Sequence, residues 1–138
     1  MKIANIMTQP PQYVNADTTV TEAAGIMRDF DLGFLPIEKA DRMVGMLTDR
    51  DIAVRVVAEG RDPDEVKVRE VMTGDVLYCF DDQEVDDAAN IMAERKIRRL
   101  PVVNRDKRLV GIVSLGDVSK EGEPELAGHT LETVARAP

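Results

Sequence analysis

Two aspartates carry the first hint of chemistry. Asp51 follows Thr48, and Asp117 follows Ser114, by three positions in each case. Each pair closes a run that opens on glycine: Gly45-Met46-Leu47-Thr48-Asp49-Arg50-Asp51 and Gly111-Ile112-Val113-Ser114-Leu115-Gly116-Asp117. An apolar run that stops at a hydroxyl reads as a strand feeding a helix N-terminus, whose unpaired N–H groups and positive dipole end suit an anion. A carboxylate three residues on can accept hydrogen bonds from a sugar diol, as an acidic residue does for ribose in dinucleotide-binding folds. Phosphate contacts beside a ribose contact point to a nucleotide. Capping explains the same spacing, because Thr48-x-x-Asp51 and Ser114-x-x-Asp117 both fit the box in which two side chains satisfy helix N-terminal donors. Taken singly, each copy is explained by capping. The repetition of everything around it is not.

Basic residues near these runs add to the picture. Arg50 lies inside the first run and could hold a phosphate bidentately or pair with a nearby acid. The stretch from Arg95 to Arg108 holds seven basic residues and one acid, Asp106. Within it, Arg98 and Arg99 read either as anion ligands or as solvated charges flanking a strand. Other chemistry is not in view. There is one histidine, His129, and one cysteine, Cys79, with no Gly-x-Ser-x-Gly and no phosphate loop ending in Gly-Lys-Ser/Thr. His129 has no Cys or His cluster beside it and reads as solvated rather than metal-bound. Asp81-Asp82 and Asp86-Asp87 read as solvated acids at a turn and a helix start. The pattern is that of a binder, not an enzyme.

These residues are positioned by a duplicated unit. At an offset of 65, Met7-Thr8, Asp17, Val20, Ala23, Ala24, Ile26, Met27 and Leu35-Pro36 fall on Met72-Thr73, Asp82, Val85, Ala88, Ala89, Ile91, Met92 and Leu100-Pro101. Beyond that the offset is 66, and Arg42, Val44, Gly45 and Asp51 meet Arg108, Val110, Gly111 and Asp117. The one-residue shift falls where a hairpin loop can change length. The first copy predicts a helical turn through Ile3, Ile6 and Met7, then an extended entry imposed by Pro10-Pro11. A short strand at Gln12–Val14 follows, then a helix from the Thr19-x-x-Glu22 cap to about Asp31. That helix carries Ala23, Met27 and Phe30 on one face, with Gly33 at its exit. Strands over 34–38 and 43–47 then lead to a helix bearing Ile52, Val56 and Val57 that ends near Gly60. The second copy predicts strands over 76–79, 100–103 and 109–113 and helices from Val85 to Lys96 and from Ser114. A further helix is expected over Glu125 to Ala135.

The Met-Thr heads, the Ala-Ala-x-x-Met helices, Leu-Pro-Ile and Leu-Pro-Val, and the two Gly-to-Asp runs together resemble the CBS domain, present here as a tandem pair or Bateman module. The resemblance covers roughly residues 3 to 120, as in stand-alone bacterial members. It implies an α/β fold of two intertwined repeats, each strand-helix-strand-strand-helix, sharing one core with pseudo-two-fold symmetry. The division expected is 1–67, 68–120 and a tail over 121–138. It implies contacts from Thr48 and Asp51 in one cleft, and from Ser114 and Asp117 in the other, to the phosphate and ribose of an adenine nucleotide. The two residues before Leu-Pro often supply basic phosphate contacts in this family. Arg98-Arg99 stand there in the second copy and Gly33-Phe34 in the first, so the second cleft should favour multiply charged phosphates. The function implied is a regulatory sensor of an adenosine-containing ligand, such as AMP, ADP, ATP, S-adenosylmethionine or NAD, with no obligatory cofactor. The competing reading is a structural, dimerisation or protein-interaction module whose clefts stay empty.

Bulk properties narrow the classes. A unit of about 65 residues buries only ~60% of its unfolded surface, which is marginal for independent folding. Each half, 1–67 and 68–138, carries a net charge of −4, opposite in sign to what a nonspecific nucleic-acid binder needs. No apolar run approaches a membrane span, and Met1-Lys2 leads into no signal sequence. The single cysteine fits a reducing cytoplasm, with Cys79 an inert buried thiol. A homodimer is expected, from apolar surface on the helices of the second copy, and an unidentified protein target is a possible further partner.

Overall fold

The computed structural model describes residues 1–121 of the chain. The expected helix over Glu125 to Ala135, and His129 within it, lie outside the described residues. The first copy contains β1 (Val14–Asn15), α1 (Val20–Phe30), β2 (Phe34–Lys39), β3 (Arg42–Thr48) and α2 (Asp49–Ile52), which runs into a π-helical turn at Ala53–Val57. The second contains β4 (Cys79–Phe80), α3 (Val85–Arg95), β5 (Arg99–Val103), β6 (Leu109–Ser114) and α4 (Leu115–Glu121). Short 3-10 turns at Ile3–Asn5 and Val68–Glu70 open the two copies. The predicted strand-helix-strand-strand-helix order is what forms.

Each copy builds one three-stranded sheet, in the orders β1-β2-β3 and β4-β5-β6. The outer strand is parallel to the middle one, with Val14 opposite Ile37 and Cys79 opposite Val102. Both outer strands start later than the sequence suggests. Pro36 and Pro101 have no N–H to donate, and each parallel ladder begins one residue beyond the proline. The antiparallel hairpins differ by the residue that shifts the repeat offset. Ala40 and Asp41 close β2–β3 as a two-residue turn with φ of 53° and 62°, whereas 104–108 bridge β5 and β6 with Lys107 at φ 63°. Positive φ at both central residues gives a turn whose twist matches the strands.

Two compact units arise, and they cut across the sequence copies. One is Gln12–Val76; the other joins Met1–Pro11 to the chain from Leu77 onward. Each lead-in therefore packs on the copy it does not open. In the first unit, Val20 N donates to the Val66 carbonyl at 2.9 Å and Val68 N to Thr18 at 2.8 Å. In the second, Val85 N donates to Met1 at 2.9 Å and Ile3 N to Gln83 at 2.9 Å. The buried apolar residues form two clusters rather than the single one expected. Leu35, Ile37, Leu47 and Val56 pack with Val66, Val68 and Val71 in one. Leu100, Val102, Val113 and Met92 pack with Ile3 and Ile6 in the other. Sharing between repeats takes the form of these exchanged segments. A 65-residue repeat short of apolar area gains a buried ridge from its neighbour.

The Met-Thr heads are the visible mark of this exchange. Thr73 and Met46 exchange both backbone hydrogen bonds at 2.9 Å, and Thr8 and Ile112 do so at 2.7 and 3.0 Å. A Cβ on Gly45 would lie 3.0 Å from Met72 Cγ and 3.1 Å from the Thr73 carbonyl; one on Gly111 would lie 2.6 Å from the Met7 sulfur and 3.1 Å from the Thr8 carbonyl. A side chain at either glycine would press on a methionine of the exchanged segment and on a backbone carbonyl 3.1 Å away.

Several local expectations are corrected. The exit of α1 is made by Asp31 in the left-handed region (φ 53°), not by Gly33, since a short polar side chain tolerates that conformation. Phe30 is 55% exposed instead of packing with Ala23 and Met27, and Val57 is 69% exposed because the π-helical turn rotates it off the buried face of Val56. Of the exposed large apolar residues among those described, Tyr13, Phe30, Val54 and Val57 belong to the first copy and none to α3 or α4, where the excess was expected. Asp82 is not simply solvated: Arg105 grips it through two hydrogen bonds of 2.8 and 2.7 Å and lies 4.0 Å above the Phe80 ring.

Candidate functional site

The end of β3 and the end of β6 present the same arrangement. Thr48 N donates to Asp51 Oδ2 at 2.9 Å, and Asp51 N donates to Thr48 Oγ1 at 3.0 Å. Ser114 N donates to Asp117 Oδ2 at 2.8 Å, and Asp117 N donates to Ser114 Oγ at 3.0 Å. The capping reading of both motifs is therefore realised. It engages only one carboxylate oxygen in each copy. Asp117 Oδ1 has no hydrogen-bond or ion-pair partner among the described residues. Asp51 Oδ1 has one neighbour, Arg55 Nε at 3.9 Å. All four residues are intermediate in burial, and the Asp51 side chain is 14% exposed.

The hairpins decide what flanks each pair. Arg99 lies directly opposite Ser114 across β5–β6, and Leu115 N donates to the Arg98 carbonyl at 2.9 Å. The structure thus brings Arg98, Arg99, Ser114 and Asp117 into one neighbourhood. Both arginines are exposed, and neither guanidinium has a partner among the described residues. Phe34 takes the place of Arg99 opposite Thr48, and Asp49 N donates to the Gly33 carbonyl at 2.9 Å. Asp49 lies close enough that a Cβ on Gly33 would meet its Oδ2 at 3.4 Å. Arg50, next in the chain, is exposed, and its side chain makes no ion pair among the described residues. Thr48, Asp51 and Arg50 thus fall together at the end of β3, and Ser114, Asp117, Arg98 and Arg99 at the end of β6 and its hairpin partner.

Arg55 was not singled out from the sequence. Its Nη1 donates to the Val71 carbonyl at 3.0 Å and the Met72 carbonyl at 3.4 Å, beside the Asp51 contact. The i,i+4 spacing from Asp51 was the available signal. The carbonyl contacts come from residues 16 and 17 positions away and leave no local trace.

Other groups do not form a reactive centre. Burial first, and the nearby Asp87 carboxylate second, push the Cys79 thiol up to about 12, so the thiolate that reactivity needs is not formed near neutrality. No group of three or more His, Cys, Asp or Glu side chains among the described residues could hold a metal ion. No helix among them is long and apolar enough to cross a membrane.

The chain is similar to known proteins over most of its length. The family described as "CBS domain" matches residues 3–58 and again 68–123. CBS domain-containing protein YhcV of Bacillus subtilis (strain 168) is 37% identical over 134 residues, covering 96% of this chain and 94% of its own. The crystal structure of Hypoxic Response Protein I with two coordinated zinc ions superposes with a TM-score of 0.80 at 36% identity, covering 88% of this chain and 98% of its own. The CBS domain pair of protein MJ0100, crystallised with 5′-methylthioadenosine and S-adenosyl-L-methionine, gives a TM-score of 0.76 at 29% identity, with 91% and 98% covered.

Proposed function

The chain belongs to the CBS-domain family, and from that premise we propose that it is a regulatory module that binds an adenosine-containing ligand. The observation that carries this reading is the half-used carboxylate. In both copies the cap takes Oδ2, and at Asp117 the other oxygen has no hydrogen-bond or ion-pair partner among the described residues, at the end of the hairpin that carries the unpartnered Arg98 and Arg99. Capping and ribose binding are then compatible roles of one side chain. A ribose diol on Asp117 Oδ1 makes hydrogen bonds to a charged acceptor, each contributing about 1.5–3 kcal/mol. Ser114 and Thr48, with the arginines nearby, face the phosphate or its replacement. Similarity to a CBS pair that holds S-adenosyl-L-methionine and 5′-methylthioadenosine supports the adenosine class. The first site, with Asp49 beside Gly33, suits a less charged ligand than the second. The chain acts by binding and not by catalysis.

The working form is a homodimer. Phe30, Val54 and Val57 are 55%, 46% and 69% exposed, more apolar surface than a lone first copy needs to show. Sedimentation equilibrium should give twice the 15.3 kDa chain mass; a monomer at micromolar concentration overturns this part.

A thermal-shift and calorimetric series with AMP, ADP, ATP, S-adenosylmethionine and NAD tests the ligand reading. A ligand at 100 times its Kd adds about 2.7 kcal/mol of apparent stability. No shift with any of the five leaves the structural or protein-interaction module as the better reading.

A further inference from the structure

Arg55 occupies a place that the second copy does not reproduce. The π-helical turn at Ala53–Val57 interrupts the helix after α2 and carries Arg55 over the strap formed by residues 71–73. Single wide turns of this kind are common at functional positions. From there one guanidinium reaches two parts of the first unit. Nη1 donates to the carbonyls of Val71 and Met72, and Nε lies 3.9 Å from Asp51 Oδ1, the oxygen that the cap leaves unused. The strap is otherwise fixed by the Thr73–Met46 hydrogen bonds and by Met72 seated on Gly45. Three residues later the first unit ends, and Leu77 begins the other.

The second unit supplies the control. Its strap holds Thr8 against Ile112 by the same two hydrogen bonds and seats Met7 on Gly111. No side chain among the described residues donates to the Ile6 or Met7 carbonyl. At the offset of 66, the residue aligned with Arg55 is Glu121, which has no donor to give. The two straps thus share a backbone arrangement and differ in one clamp.

We propose that Arg55 is a positioning residue that couples occupancy of the Thr48–Asp51 site to the strap at 71–73. The proposal rests on the adenosine-ligand reading of that site. The Arg55 side chain is 51% exposed, and water competes with the two carbonyls for its N–H groups. A ribose seated on Asp51 Oδ1 covers the edge of the guanidinium that faces that oxygen. With water withdrawn, the strap carbonyls are the acceptors that remain, and a hydrogen bond in a drier setting is stronger. The bound nucleoside therefore holds the strap closed. By linkage, the closed strap favours the bound nucleoside by the same factor. The second site lacks the clamp, so its occupancy leaves its own strap unchanged. Only the first site then communicates with its strap, which runs on to the passage at Val76–Leu77; the strap before the other passage, at Pro11–Gln12, carries no such clamp among the described residues.

Amide hydrogen exchange reads this directly. The Thr73 and Met46 amides report opening of the clamped strap, and the Thr8 and Ile112 amides report the unclamped one. Any general stabilisation slows both pairs. The probes are AMP and, in parallel, S-adenosylmethionine, each at a concentration shown by calorimetry to saturate the native protein. Saturation should slow Thr73 and Met46 about fivefold more than Thr8 and Ile112, the low end of typical coupling between sites. Arg55→Met should remove that excess while the protein still binds the probe, and Arg55→Lys should restore only part of it. An excess that is absent in the saturated native protein, or that survives in Arg55→Met, overturns the coupling and leaves the ligand reading intact. Calorimetry showing that neither probe binds the native protein overturns both.

Discussion

The two copies share a skeleton and differ in charge. Gly45 and Gly111, Thr48 and Ser114, and Asp51 and Asp117 repeat because each is required by the backbone: a methionine seated on glycine, and a reciprocal cap at the strand end. The residues around them are free to differ. Gly33, Phe34, Asp49 and Arg50 in the first copy correspond to Arg98, Arg99, Leu115 and Gly116 in the second. Arg98 and Arg99 leave unpaired positive charge near Asp117, whereas a carboxylate lies beside Gly33 near Asp51. The repeated scaffold is the same in both copies, and substitution at positions outside its structural demands gives the two hydroxyl-aspartate pairs surroundings of different charge.

The shared part should fail in the same way in both copies. Gly45→Ala and Gly111→Ala each bring a methyl group against a methionine and, 3.1 Å away, a backbone carbonyl that cannot turn aside. Each should destabilise by about 1–3 kcal/mol, as overpacking does. Denaturant titration of the two variants checks this. A large loss at one glycine and none at the other would show that the exchanged lead-ins are not equivalent.

A titratable group separates the copies more gently. Val14 and Cys79 hold aligned positions against the middle strands, opposite Ile37 and Val102. The Cys79 thiol is raised from 9.0 to about 12 by burial and by Asp87. Between those values the native chain keeps a proton that the unfolded chain has lost, so stability falls as pH rises through that window. Below the lower value the effect vanishes. Cys79→Val should flatten the stability profile above pH 9 and leave it unchanged at pH 7. An equal alkaline loss in native and variant would assign it to other groups.

A smaller effect is expected from the charge difference itself. Replacing Arg98 and Arg99 together with Ala should weaken ATP several-fold more than adenosine and flatten the salt dependence of ATP binding, since exposed charges are screened. The melting temperature should hardly move, because neither guanidinium has a partner among the described residues. Equal losses for both ligands would remove the phosphate role from these arginines.

Much of this arrangement was legible in the sequence. The offset change from 65 to 66 located the hairpin loop, and the hydroxyl-aspartate spacing located both caps. Spacing is a local property, and caps and hairpins are local structures. The exchange of lead-ins was legible only through the family resemblance, which implied intertwined repeats; an apolar ridge such as Val68 and Val71 by itself fits either copy, and only three-dimensional packing chooses. The exposure of Phe30 and Val57 was misjudged for a related reason. Helical periodicity assumes an unbroken α-helix and a core that covers the whole apolar face, and Asp31 and the π-helical turn break those assumptions. Arg55 became visible only with the carbonyls it reaches.

The central claim is that Asp117 does more than cap. Asn is itself a good capping residue and keeps one acceptor oxygen, so Asp117→Asn can retain the hydrogen bond from Ser114 N. It replaces the other oxygen with an amide donor, which a ribose hydroxyl cannot use as the carboxylate is used. Calorimetric titration of AMP into native protein and Asp117→Asn, with melting temperatures taken without ligand, separates the two roles. The account predicts binding weaker by about tenfold or more at the second site, a difference of 1.4 kcal/mol, with the melting temperature nearly unchanged. Undiminished affinity together with a lowered melting temperature would contradict it and make Asp117 a cap alone.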